Sequence, residues 1–217
     1  MRKMSLLLAV LTIMAAFSTQ AQESSEFRVD SDASRLRVLA TPDGPLRRFG
    51  HHHVISHHGI SGTVQVASNP LESSISLELN VADFVVDESA LRAFEGEDYE
   101  KDVPQKDKDG TKSNMLGEDL LNGENFPTIR IQSSAIEGSM LQANIVATVT
   151  IAGMENTVTF PASIVMTDDS FVAMGQLEIV HGELGLSPFT AMGGALSVGD
   201  MMVLKYEITG VLATDSD

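Results

Sequence analysis

Apolar and polar residues alternate with a period of two along most of this chain. Ala143, Ile145, Ala147, Val149 and Ile151 alternate with Gln142, Asn144, Thr148 and Thr150, with Val146 the exception. Val158 and Phe160 resume the pattern after a turn over Gly153-Met154-Glu155-Asn156. Phe171, Ala173, Leu177 and Ile179 form a further face, and Met202, Leu204, Tyr206 and Ile208 the last. In the first half, Ile75, Leu77, Leu79 and Val81 oppose Ser76, Glu78 and Asn80, while Ile60, Val64 and Val66 repeat the alternation. Phe27 to Asp30, Arg35 to Ala40 and Ile129 to Ala135 complete a set of about eight or nine strands. Side chains of a strand point alternately to its two faces, so each run offers one apolar face to a core. Short strands separated by turn residues predict an all-β, antiparallel barrel or sandwich.

One segment breaks the alternation. From Asp87 to Thr128 the sequence predicts a short helix over Ser89 to Phe94, with Asp87 as its cap. It predicts a charged loop over Lys101 to Ser113 and a second short helix over Met115 to Leu121. An insertion of this length is too long for a hairpin and must cross the sheet or cover an open end of a barrel. No internal repeat is visible, and residues 22–217 read as one domain.

The first 21 residues read differently. Arg2 and Lys3 precede an apolar run from Leu6 to Phe17, and small residues lead to Thr19 and Ala21. That is the layout of a secretory signal peptide over residues 1–21, cut before Gln22. The run is short for a membrane span, and no later stretch approaches the roughly 20 apolar residues that a spanning helix needs. The expectation is therefore an exported, periplasmic protein with no membrane span.

Composition narrows the chemistry. The chain has no Cys, which excludes a thiol nucleophile, a Cys-ligated metal and any disulfide. Its formal charge of −16 argues against nucleic acid as a partner. No Gly-x-Ser-x-Gly elbow, phosphate loop or dinucleotide fingerprint is present, and Gly193-Gly194 precede a strand rather than a helix. Glu95, Glu97, Asp98, Glu100, Asp107 and Asp109 read as a solvated acidic face without EF-hand spacing. The chain is expected to be a binding protein, not an enzyme.

Five of six His lie at positions 51, 52, 53, 57 and 58, and the sixth is His181. On a strand, His51, His53 and His57 share one face, and His52 and His58 the other. Neighbours two apart can chelate a divalent metal through neutral imidazoles, so His51, His53 and His57 are one candidate metal set. Alternatively, His51 and His53 meet the polar head of a ligand, with Arg47 and Arg48 close by to bind a phosphate.

Four stretches in order carry a family resemblance. They are FRVDSDASRLRV from Phe27, FGHHHVIS with GISGTVQV from Phe49, MLGEDLLNGENFPTIRIQSS from Met115, and the Gly-rich GELGLSPFTAMGGALSVGDMMVLKYEITGVL from Gly182. Together, from about Phe27 to Ala213, they resemble the YceI-like family, the lipocalin-like polyisoprenoid-binding proteins of bacterial periplasms. The commoner form has an Arg-Asp pair before the helix, where this chain reads Lys112, Ser113 and Asn114. The match is better to a branch with a Gly-His-x-His strand.

The resemblance implies an eight-stranded lipocalin-like barrel with a long apolar channel for an isoprenoid or similar amphiphilic lipid. Barrels of that size hold a packed interior or one small ligand. Met115, Met140, Met154, Met166, Met174, Met192, Met201 and Met202 suit an apolar ligand of variable shape. The residues expected to meet the ligand are Arg47, Arg48, Phe49, His51, His53, Ala147, Phe160 and Phe189. The rival is a metal-binding protein on a packed barrel scaffold. The oligomeric state is expected to be monomer or dimer.

Overall fold

A computed structural model describes residues 24–214. The leader expected over residues 1–21 lies outside the described residues. In chain order the strands are β1 (Ser24–Val29), β2 (Arg35–Ala40), β3 (Pro42–Asp43), β4 (His53–His57), β5 (Ser61–Ala67), β6 (Ser74–Asn80) and β7 (Phe84–Val86). Three helices follow: α1 (Ser89–Arg92), α2 (Glu97–Glu100) and α3 (Gln105–Leu116). The chain continues with β8 (Thr128–Ser139), β9 (Gln142–Ile151), β10 (Met154–Met166), β11 (Ser170–Val180), β12 (Thr190–Ala191), β13 (Leu196–Val198) and β14 (Met201–Leu212).

Eight strands close an antiparallel barrel in the order β1-β5-β6-β8-β9-β10-β11-β14. Closure comes from Phe27, Arg28 and Val29 pairing with Leu212, Val211 and Gly210. The alternation seen in the sequence decides which face is inside. Phe27, Val29, Val64, Leu77, Leu79, Val149, Phe171 and Ile208 meet in one core, with Phe27 edge-on to Phe171 at 5.7 Å.

Three barrel strands bend at a common level, and polar side chains make the bends. Between β1 and β2, Asp30 Oδ1 accepts from the Asp32 and Ala33 N–H groups at 3.0 and 3.1 Å, an Asx-type turn. The fully buried Ser34 donates to Thr209 O and accepts from Thr209 N on β14. Between β4 and β5, His57 Nδ1 accepts from Gly59 N–H while Nε2 donates to Asn80 O, where β6 turns toward β7. Ser31 donates to Ile60 O at 2.6 Å. Beyond this belt, β2, β4 and β7 continue as a three-stranded flap that extends from β14. β7 pairs with β4, whereas β8 pairs with β6, so the wall parts between β7 and β8.

The helical insertion covers that gap, as its length requires, but its internal structure differs from the sequence expectation. Gln105–Leu116 is a helix where a loop was expected, and the expected helix over Met115 to Leu121 is only the end of α3 and a turn. Asp87 caps nothing. Glu88 precedes α1, and Asp87 is fully buried with φ +56°. The acidic run is not all solvated either. Glu95 is buried and bridges Arg37 of β2 at 3.1 Å and Lys205 of β14 at 2.5 Å, pinning the insertion to the barrel. The β9–β10 hairpin turns tightly at Ala152-Gly153, both at positive φ, so Met154 already belongs to β10.

Candidate functional site

At the flap end, the barrel holds a cavity of about 450 Å³. That is within the roughly 300–1,000 Å³ of small-molecule sites. Its walls come from the flap and the adjoining barrel strands, through Val38, Ile55, Phe84, Ile129, Ile151, Ile179 and Met202. Thr111, Asn114 and Met115 of α3 close one side, and Pro42, Phe189, Leu196 and Val198 around the small sheet β12-β13-β3 close another. The cavity occupies one end only. Below the polar belt, Phe27, Val64, Leu77 and Phe171 pack together in the core, whereas the resemblance implies a long channel.

Of the expected ligand-facing residues, Phe49, His51, His53 and Phe189 line this cavity. Phe49 is 63% exposed and Phe189 39%, so both stand at the rim. Arg47 and Arg48 do not line it. Both are exposed on a short turn, with the Arg48 guanidinium 4.6 Å from the centre of the Phe49 ring. Ala147 is 0% exposed and sits in the packed wall away from the cavity. Phe160 packs against the core and lies edge-on to Tyr206. Burial pushes the Tyr206 hydroxyl up to about 12, and it donates to Pro161 O at 2.6 Å.

The His run divides as a strand requires. His53, Ile55 and His57 face inward, whereas His52 packs edge-on to Tyr99 and His58 binds Glu88 at 2.7 Å on the outer side. His51 lies just before β4, its ring 6.0 Å from that of His53. The metal set is not assembled. His57 uses both ring nitrogens on Asn80 O and Gly59 N, and His53 Nδ1 is held by Asp87. Among the described residues, no three His, Asp or Glu side chains group as a metal would need.

The network behind His53 was missed by sequence reasoning. Asp87 Oδ2 accepts from His53 Nδ1 at 2.6 Å, while Oδ1 accepts from Val54 N–H at 2.8 Å and from Arg92 at 2.6 Å. Burial by itself would raise the Asp87 carboxyl, but the hydrogen bonds from His53, Val54 and Arg92 hold it below its ordinary value of 3.8. Arg92 also donates to His52 O and Lys101 O, and Lys108 of α3 donates to Asp87 O at 2.7 Å. His53 Nε2 remains at the cavity wall, 3.4 Å from Thr111 Oγ1. His181, buried at the same cavity, donates its Nδ1 proton to Asp200 O at 2.9 Å.

Hydroxyl, imidazole and carboxylate in that order also occur in acyl-transfer enzymes. Here the carboxylate is shared with Arg92. The hydroxyl stands beyond the reach of about 2.6–3.2 Å usual for an activated nucleophile.

A closed antiparallel barrel of eight strands with an apolar cavity at one end places the protein among the lipocalin-shaped barrels. The chain belongs to the YceI-like family, whose YceI-like domain matches residues 27–210. Burkholderia cenocepacia BcnA has a similar structure, with TM-score 0.61 and 17% identity over 86% of this chain and 99% of that one. A Campylobacter jejuni YceI protein gives TM-score 0.54 and 11% identity over 74% of this chain and 85% of that one. Likeness at this level of identity establishes the fold alone. No curated protein matches the chain.

Proposed function

We propose that this protein is an exported, periplasmic carrier that holds an isoprenoid or similar amphiphile in the flap-end cavity. The observation that carries this reading is a cavity of about 450 Å³ walled mainly by Val, Ile, Leu, Phe and Met. Burial of the ligand's tail provides the driving force, at roughly 0.8 kcal/mol per CH₂ removed from water. Phe49 and Phe189 form an apolar rim over which a chain slides in, and His51 and His53 meet the polar end. Membership of a family with this barrel supports the reading.

Native mass spectrometry of untagged protein from the periplasmic fraction tests it. The expected result is a mass beginning at Gln22 plus a stoichiometric, organically extractable lipid. Protein that carries no lipid and takes up no prenyl probe would overturn the carrier role. Retention of Met1 would overturn export.

A further inference from the structure

We infer that the polar end of the bound amphiphile is a hydrogen-bond donor, an alcohol or phenol hydroxyl, received by Nε2 of His53 or of His181. This rests on the carrier reading above and specifies its ligand.

The placement of protons on the two rings decides what they can bind. Ionised Asp87 can only accept, and its Oδ2 lies 2.6 Å from His53 Nδ1. The proton of a neutral His53 therefore resides on Nδ1, and Nε2 presents a lone pair. The weak contact from Thr111 Oγ1 at 3.4 Å is the only protein partner of that lone pair among the described residues. His181 repeats the pattern independently. A backbone carbonyl, Asp200 O, can only accept, so Nδ1 carries the proton and Nε2 is an acceptor without a protein partner among the described residues. Both rings line one cavity.

Charge completes the selection. The cavity lining contains Asp107 and, among the described residues, no Lys or Arg. Arg48, next to the rim residue Phe49, lies over that ring. A phosphate or carboxylate head would meet lone pairs and a carboxylate. A carbonyl or ether head would leave both imidazole acceptors dry and unpaired, which costs binding energy. A hydroxyl satisfies one of them directly.

Competition binding with farnesol, its methyl ether, farnesal and farnesyl phosphate, which share one tail, tests this at about pH 8. Farnesol is expected to bind about two- to tenfold more tightly than the ether or the aldehyde, the span of one net hydrogen bond. The phosphate is expected to bind weakest.

Asp87→Asn tests the positioning role. Asn tolerates the left-handed backbone at 87, and its carbonyl still accepts from Val54 and Arg92. Its amide now donates to His53 Nδ1. The His53 proton moves to Nε2, and the preference shifts toward farnesal. Nitrogen NMR of the wild-type imidazoles reads the same point without any variant, with Nδ1–H expected for both His53 and His181. Equal binding of alcohol, ether and aldehyde, tightest binding of the phosphate, or Nε2–H at His53 overturns the inference and leaves the carrier role intact. Binding of none of the four overturns the carrier role itself.

Discussion

Asp87 holds a backbone angle, φ +56°, that Asn and Asp tolerate better than most residues. It does so to set one carboxylate between His53, Val54 N–H and Arg92. Removing it leaves the Arg92 side chain buried, at 5% exposure, without its counter-charge. Asp87→Ala is therefore expected to cost about 3–5 kcal/mol in urea unfolding, as for broken buried pairs. Asp87→Asn, which keeps the contacts to Val54 N–H and Arg92 and reverses the one to His53, should cost less. Burial holds the His57 imidazole below its ordinary value of 6.5, outweighing the raising effect of the bond to Asn80 O. His57 is thus neutral in the fold and protonated more readily when unfolded. Its contribution is fully present above 6.5 and is lost as pH falls through the lowered native value. The urea midpoint should drop across that window, and His57→Gln should flatten the slope. An unchanged slope in the variant would count against this assignment. Asp87 adds a second, more acid window, with stability present above 3.8 and lost below it.

At the scale of the element, α3 shows how a helix can lack the usual signature. Gln105 to Asn114 carries no apolar residue, so no amphipathic stripe marks it. Its order comes from outside. Lys108 and Lys112 reach Asp87 O and Ala82 O, Met115 is buried, and Gln105 binds Asp109 one turn on. None of these partners is near in sequence except Asp109. A further weakness is Gly110 in mid-helix. A Cβ there meets nothing within 4 Å, and its φ is not left-handed. Gly110→Ala should stabilise the protein by about 0.5–1 kcal/mol, seen as a raised urea midpoint with an unchanged m-value. Glu95 was hidden for the opposite reason. It sits within an acidic run, and only the fold brings Arg37 and Lys205 to it.

For the whole molecule, the division between a packed lower barrel and a hollow flap end decides what substitutions do. Ile151 lines the cavity, and Ile151→Trp should fill it, abolishing uptake of a fluorescent prenyl probe in a folded protein. Ala147, four residues earlier on the same face of β9, lies in the packed wall. Ala147→Trp should instead overpack, costing about 1–3 kcal/mol, with any loss of uptake following the loss of fold. Similar probe uptake by folded Ile151→Trp and wild-type protein would move the site elsewhere. Saturating ligand at about 100 times its Kd should stabilise the wild type by about 2.7 kcal/mol, read as a raised Tm, and leave folded Ile151→Trp unmoved.

The alternation of apolar residues determined the strands, their inward faces and the choice of an antiparallel barrel or sandwich, because a period of two is a local property that burial then enforces. His53 was likewise legible as sharing one face with His57. Tertiary structure alone decided that the wall parts between β7 and β8, that α3 fills the gap, and that the cavity stops at the polar belt. It also decided that Arg47 and Arg48 turn away while Asp87, 34 positions from His53, sets that ring's proton. These outcomes depend on pairings between distant segments and on where packed side chains run out, and no local pattern in the chain encodes either.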